Sequence, residues 1–242
     1  MFRNGEVELY YEEHGYGFPV LLIAPGGMRS AVSAWERAPW NPIDDLSGRF
    51  RVIAMDQRNA GRSRAPVRAE DGWHVYAQDQ LALLDHLGVE RFHVVGMCIG
   101  GPYCMGLIQA APERVAAAVL LQPIGHLDNR EAFYAMFDDW ANELKPERRE
   151  VPDAAWESFK HNMYDGDFLF NVDREFVAGC RTPLLVLRGD DHYHPSEISR
   201  EVVRLAPDAR LIEQWKEGEQ QAGARSEVLA FLDANTPVEE SA

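Results

Sequence analysis

The sequence predicts an α/β fold, with a mostly parallel central sheet and helices on both of its faces. Three observations carry this. Short apolar runs alternate along the chain with segments whose apolar residues recur at helical spacing. Several of those runs are continuously apolar, as strands covered on both faces must be. At the centre stands His93-Val94-Val95-Gly96-Met97-Cys98-Ile99-Gly100-Gly101, an apolar run that stops at a glycine, with a cysteine two residues later and two further glycines before a helical segment. That is a strand, a very tight turn and a helix, and a side chain at the tip of such a turn stands clear of the backbone.

The elements follow in order. Residues 6–11 alternate acidic with apolar (Val7, Leu9, Tyr11) and read as an edge strand with one buried face. Gly15 and Gly17 turn the chain into a continuous apolar strand over 20–24, which Pro25-Gly26-Gly27-Met28 stops. A further strand covers 51–55. Ala77, Leu81, Leu84 and Leu87 recur at helical spacing over 76–87, and Gly88 supplies the stop. The segment 102–110 has helical character, and 117–121 is a strand. Residues 124–182 change character and become rich in Trp, Phe, Met and charge. They predict a few short helices forming a small lid inserted in one domain that spans 1–242, with most of the aromatic residues in the lid's own core. A strand at 184–187, a helix over 196–205, a strand over 210–215 and a final helix over 224–234 complete the series. The polar stretch 236–242 reads as a frayed tail.

Composition narrows the partners. The chain has 242 residues, is 46% hydrophobic and carries a net charge of −15. Nucleic acid is excluded as a partner, because phosphate contacts need clustered Lys and Arg. Docking on an anionic membrane is excluded by the same sign of charge, and no apolar run approaches the ~20 residues of a membrane helix. The N-terminus lacks the apolar core of a signal peptide. Three cysteines, Cys98, Cys104 and Cys180, predict reduced thiols in a cytoplasmic protein. None has the Cys-x-x-Cys spacing of a zinc site. The expected partner is a small-molecule substrate, with no cofactor and no metal. A homodimer is compatible with the sequence, which does not fix the oligomeric state.

In this order the motifs resemble the α/β-hydrolase superfamily from end to end. Gly96-x-Cys98-x-Gly100 is similar to the family's Gly-x-Ser-x-Gly nucleophile elbow, with cysteine for serine. Pro25-Gly26-Gly27 stands where the family has His-Gly before its oxyanion-hole residue. Asp56-x-Arg58-x-x-Gly61-x-Ser63 resembles the Asp-x-Arg-Gly-x-Gly-x-Ser loop, in which Asp56 and Arg58 stabilise the scaffold. Residues 184–195 resemble the strand and loop that carry the family's acid. The resemblance implies Cys98 as nucleophile, the backbone N–H groups of Gly27 and Ile99 as oxyanion hole, and Asp190 or Asp191 as acid. Asp191 aligns better, and Asp190 is then a solvated or capping residue.

One departure matters. The family carries its basic histidine after the last strand, but there the sequence reads Trp215-Lys216-Glu217-Gly218-Glu219, and no histidine follows His194. Three arrangements answer this. His194 or His192, on the acid loop itself, takes over the role. Alternatively Glu217 or Glu219 serves as base, or the Cys98 thiolate works unaided. In the third, the scaffold has a non-hydrolytic use. Of the histidines His194 is preferred, because Asp191 and His192 are adjacent and their side chains diverge, whereas His194 can turn back. His126 is a further pocket candidate, and the remaining histidines read as surface or packing residues. Cysteine suits this place chemically. A thiol titrates near ~8.5, and a helix N-terminus lowers that, so a thiolate forms with little help. Cys104 and Cys180 read as packing residues.

The functional expectation is a hydrolase of a small ester, lactone or thioester that works through a Cys98 acyl-enzyme, with His194 and Asp191 in support. Two rivals belong to other classes: a lyase or isomerase in which Cys98 polarises a carbonyl, and a non-catalytic small-molecule receptor.

Overall fold

The computed structural model describes residues 1–238. Seven strands form the central sheet in the order β3-β5-β4-β6-β7-β8-β9. These are β3 (Tyr11–His14), β4 (Pro19–Ile23), β5 (Arg51–Met55), β6 (Phe92–Met97), β7 (Val115–Leu121), β8 (Leu184–Leu187) and β9 (Ala209–Ile212). Only β3 runs antiparallel, pairing Tyr11 with Met55 at one edge, and every other neighbour is parallel. The predicted first strand over 6–11 is split. β1 (Phe2–Asn4) and β2 (Val7–Leu9) form a separate hairpin, and β3 begins only at Tyr11. Gly5, with φ of 60°, makes the turn between them.

Burial on both faces follows directly from the period of a strand. Leu21, Ile23, Ile53, Val94, Leu120 and Val186 enter one core, with α2 (Trp73–His86) and α3 (Gly100–Ala110). Val20, Leu22, Val52, Val95, Val119 and Leu185 enter the other, with α1 (Pro42–Ser47) and α8 (Gly218–Ala234). The continuously apolar strands are therefore two alternating sets, each with its own layer of helices.

Between β7 and β8 lie α4 (Arg130–Leu144), α5 (Asp153–Tyr164) and the short α6 (Arg174–Gly179). Their aromatic residues pack on one another, as Phe137 on Trp140 and Phe159, and Trp140 on Trp156. This segment reaches across to the loop after β4, where a side chain on Gly27 would meet the sulfur of Met136. α7 (Ser196–Leu205) follows β8.

Both ends differ in detail from the sequence reading. α8 starts at Gly218, a turn and a half before the apolar positions that signalled it. Thr236, read as the start of a frayed tail, is anchored instead, its Oγ1 lying 2.9 Å from His93 Nε2. His93 is wholly buried against Phe18 and Phe50, and burial pushes it down to about 4. Residues 239–242 of the expected tail lie outside the described residues.

The elbow is the tightest place in this frame. A methyl group on Gly96 would lie 2.2 Å from the Gly100 carbonyl oxygen, and one on Gly100 would lie 2.7 Å from that of Ile23. Neither neighbour is a movable side chain. We expect Gly96→Ala to destabilise the fold by about 1–3 kcal/mol, the usual cost of overpacking a rigid site. Urea unfolding measured beside Gly88→Ala checks this, since a methyl group on Gly88 would meet nothing within 4 Å. The helix-terminal Gly88 has φ of 66°, so its own smaller loss reports backbone strain alone.

Candidate active site

Cys98 sits at the turn between β6 and α3 with φ of 61°, a left-handed conformation that a non-glycine residue adopts only where its surroundings impose it. Those surroundings are visible. The Cys98 amide donates to the Leu121 carbonyl (3.0 Å), and its own carbonyl accepts from Gly101 (3.0 Å) and Ile124 (3.2 Å). The peptide is thus fixed between β7 and the first turn of α3, and the side chain is directed away from the sheet.

The backbone amides of Gly26 and Ile99 lie beside the Cys98 sulfur and favour its thiolate. The sequence pointed to the Ile99 amide as one donor to a substrate oxyanion. For the other donor to that oxyanion the sequence pointed to Gly27, and its neighbour Gly26, with φ of 118°, is the residue whose amide lies beside the sulfur. Gly27 lies one residue further on, in a single 3-10 turn beneath Met136. The Pro-Gly-Gly motif locates the loop, but which of its amides turns inward is set by backbone torsions that the motif leaves free.

The loop after β8 brings acid and base together within a few residues. Asp191 Oδ1 accepts from the amides of Tyr193 (2.9 Å) and His194 (3.0 Å), closing a compact turn. The same carboxylate meets His194 Nδ1 at 2.8 Å from each oxygen. His194 Nε2 is buried without a hydrogen-bond partner, and the ring is near enough to Cys98 for each group to favour the other's charged form. Gly189 makes room for this ring, since a methyl group there would lie 2.6 Å from His194 Cβ. Asn129 ties the loop to the segment after β7, donating to the carbonyls of His192 (2.8 Å) and Gly125 (3.1 Å). Sequence reading missed Asn129, which is buried but belongs to no recognisable motif.

The remaining candidates lie elsewhere. The His192 side chain is exposed. Asp190 pairs with Lys216, which occupies the stretch after β9 where the family keeps its histidine. Beside it Trp215 is buried and donates its indole N–H to the Arg188 carbonyl (2.8 Å). Glu217 and Glu219 are exposed at the start of α8, so neither glutamate stands at the sulfur. His126 pairs with Asp167 (3.1 Å) and touches Arg130. Asp56 accepts from the amides of Val32 and Arg62, and Arg58 clamps Asp79 through two bonds of 2.8 and 3.0 Å, both scaffold roles. Among the described residues no group of three His, Cys, Asp or Glu side chains could hold a metal ion.

Electrostatics follow from this geometry. Burial alone would raise the Cys98 thiol, but the hydrogen bond and charge of His194, with the Gly26 and Ile99 amides, hold it below the ordinary thiol value. Burial alone would lower His194, but the Cys98 thiolate and the Asp191 carboxylate push it up to about 9. Each charge supports the other. These directions favour a thiolate beside an imidazolium between the depressed Cys98 value and about 9. The thiolate is lost as pH falls through the lower limit, and the imidazolium as pH rises through the upper one. Cys104 and Cys180, both buried among apolar groups, are raised instead.

This fold and elbow define an α/β hydrolase, and the chain belongs to that family: residues 19–175 match its family model, described as the alpha/beta hydrolase fold. A protein of Azorhizobium caulinodans, provisionally named carbamate hydrolase RutD, is 38% identical over 87% of this chain and 88% of its own length. The uncharacterized carboxylesterase nap of Bacillus subtilis is 30% identical over 91% of this chain and 81% of its own length. Among solved structures, the enol-lactonase from Burkholderia xenovorans superposes with a TM-score of 0.68 at 21% identity, covering 95% of this chain and 98% of that one. A thermophilic esterase from Thermogutta terrifontis gives 0.70 at 19% identity, covering 96% of both chains. These likenesses make the chain a member of a hydrolase family, and the two structures share its fold.

Two outcomes test the charge pair. At pH 7, brief exposure to iodoacetamide should label Cys98 well ahead of Cys104 and Cys180, and His194→Ala should slow that labelling by roughly tenfold through loss of the cationic partner. Peptide mass spectrometry reads both. Alkylation of Cys98 also removes the thiolate that supports His194, so the imidazole should then titrate below about 9. Histidine NMR resonances followed against pH report that shift.

Proposed function

We propose that this protein hydrolyses a small ester, lactone or thioester through an acyl-enzyme on Cys98. The observation that carries the reading is the Asp191 carboxylate 2.8 Å from His194 Nδ1, with the buried, unpartnered Nε2 of the same ring near Cys98. The thiolate attacks the substrate carbonyl carbon, and the charge moves to the carbonyl oxygen. Backbone N–H groups of the loops holding Gly26, Gly27 and Ile99 stabilise that oxyanion. The C–O or C–S bond to the leaving group then breaks, and the imidazolium of His194 supplies its proton.

Deacylation requires the opposite from the same histidine. With the sulfur acylated, the negative charge that holds the His194 proton is gone, and the ring reaches its neutral form at lower pH. Asp191 keeps Nδ1 occupied, which leaves Nε2 free to take a proton from water. That water attacks the thioester carbonyl, the carboxylic acid departs and the thiolate returns. Cysteine therefore switches the base on by its own acylation, and cysteine is a nucleophile that needs no base for the first step.

His194→Ala should slow deacylation more than acylation, because general-base help to water is typically worth ~10²–10⁴-fold. With p-nitrophenyl butyrate as substrate, rapid-quench mass spectrometry should find an acyl group accumulated on Cys98. Normal turnover by this variant, or no adduct in any form of the protein, would count against the proposal and favour a non-hydrolytic use. Cys98→Ser should lose most turnover while keeping the fold, since a serine hydroxyl must give up its proton before it can attack. Parent-like activity in that variant would show that His194 already acts as a full base toward the nucleophile.

A further inference from the structure

Three tyrosines stand out because the mechanism does not use them and the fold does not satisfy them. Tyr76 on α2, Tyr103 on α3 and Tyr164 at the end of α5 are all buried, and none of their hydroxyls makes a well-formed hydrogen bond. A buried hydroxyl without a partner forfeits its hydration, so three close together call for an explanation. They form one group. The rings of Tyr76 and Tyr103 lie 4.9 Å apart, and Trp73 lies 5.1 Å from Tyr103 and 6.2 Å from Tyr164. The nucleophile packs against the same apolar cluster that holds all three rings, and a charge on its sulfur would strengthen the hold of Tyr164 on its proton.

Their place relative to His194 indicates which part of a substrate they meet. In the sheet order, Cys98 follows β6 and His194 follows β8, on one flank of the elbow. Arg58, which lies 5.8 Å from the Tyr76 ring, follows β5 on the opposite flank. A leaving group that takes its proton from His194 departs toward β8, so the acyl chain extends the other way, into the tyrosines.

The chemistry they select follows from charge. Burial keeps all three phenols protonated, so they offer O–H donors. Two cations stand near them: Arg58 is more than balanced by Asp79 at 2.8 Å and Asp71 at 3.7 Å, and Arg130, which donates to the Tyr164 carbonyl, pairs with Asp167 at 3.1 Å. On the side of the nucleophile the charges of Cys98 and His194 offset each other. A carboxylate on the acyl chain would enter a region with no free positive charge, whereas an uncharged oxygen would gain donors without repulsion.

We propose that Tyr164 and Tyr103 form a specificity pocket for an uncharged acceptor oxygen, such as a keto or ether oxygen, on the acyl part of the substrate. This rests on the acyl-transfer reading above. The probes are the p-nitrophenyl esters of pentanoic, 4-oxopentanoic and butanedioic acid, the last as its free monoacid. The preference for 4-oxopentanoate over pentanoate should fall roughly tenfold in Tyr164→Phe or Tyr103→Phe, one hydrogen bond's worth. Turnover of pentanoate should stay near that of the parent, which shows that the site is intact. The succinyl ester should be the poorest of the three. Because the ratio compares parent with variant, the intrinsic reactivity of each ester cancels.

An unchanged ratio in both variants, or a preference for the succinyl ester, would overturn the pocket. If the parent turned over none of the esters, the hydrolytic reading would fail separately. Binding of 4-oxopentanamide and pentanamide, followed by the fluorescence of Trp73, then decides the pocket on its own. Tighter binding of the oxo compound to the parent than to Tyr164→Phe sustains it, and equal or absent binding refutes it.

Discussion

The contact between the His194 imidazolium and the Cys98 thiolate is the interaction on which the rest of the site depends. Each of the two half-buried groups favours the charged form of the other. Burial works against both, pushing the thiol up and the imidazole down, and only the mutual attraction reverses those directions. Such a pair needs the partners of each charge fixed in advance. Asp191 fixes one through the imidazole and its own loop amides, and the Gly26 and Ile99 amides fix the other.

Much of the surrounding structure can be understood as the means of holding these groups still. Glycine is required at 96 and 100 because β6, β4 and α3 converge on the elbow at backbone-to-backbone distances. The left-handed torsion of Cys98 is imposed by hydrogen bonds from both sides, to Leu121 and from Gly101 and Ile124. The acid loop is closed by its own aspartate, leaves space for the ring at Gly189, and is tied to the next loop by Asn129. The pair thus stands on two loops from the same edge of one parallel sheet, the edge at which ligands bind in folds of this type.

The missing histidine has a physical counterpart. In the family pattern the acid and the base come from loops after successive strands. Here the single loop after β8 holds Asp191 and His194 in contact, three residues apart. The position after β9 is filled by Trp215 and Lys216, and Lys216 pairs with the spare Asp190. A contact between these two loops is kept, but as an ion pair remote from the sulfur. Bringing acid and base into one short turn makes their separation a local property, less dependent on how β8 and β9 are set.

Sequence alone determined what depends on local pattern. The parallel strands, the elbow, the scaffold loop with Asp56 and Arg58, and the Asp191-x-x-His194 spacing were all legible, because each is a short run whose residue types serve its own backbone. The split of the first strand and the early start of α8 were not, since a glycine turn and a polar helical turn carry no apolar period. Tertiary structure decided the rest. Whether Gly26 or Gly27 turns its amide to the sulfur depends on torsions two glycines leave open. That His194 meets Asp191 while His192, Glu217 and Glu219 are exposed depends on where a loop folds back, and the ionisation of Cys98 depends on groups brought together from β6 and β8. The grouping of Tyr76, Tyr103 and Tyr164 joins helices far apart in the chain, and no periodicity records a distance between residues that only the packed sheet brings side by side.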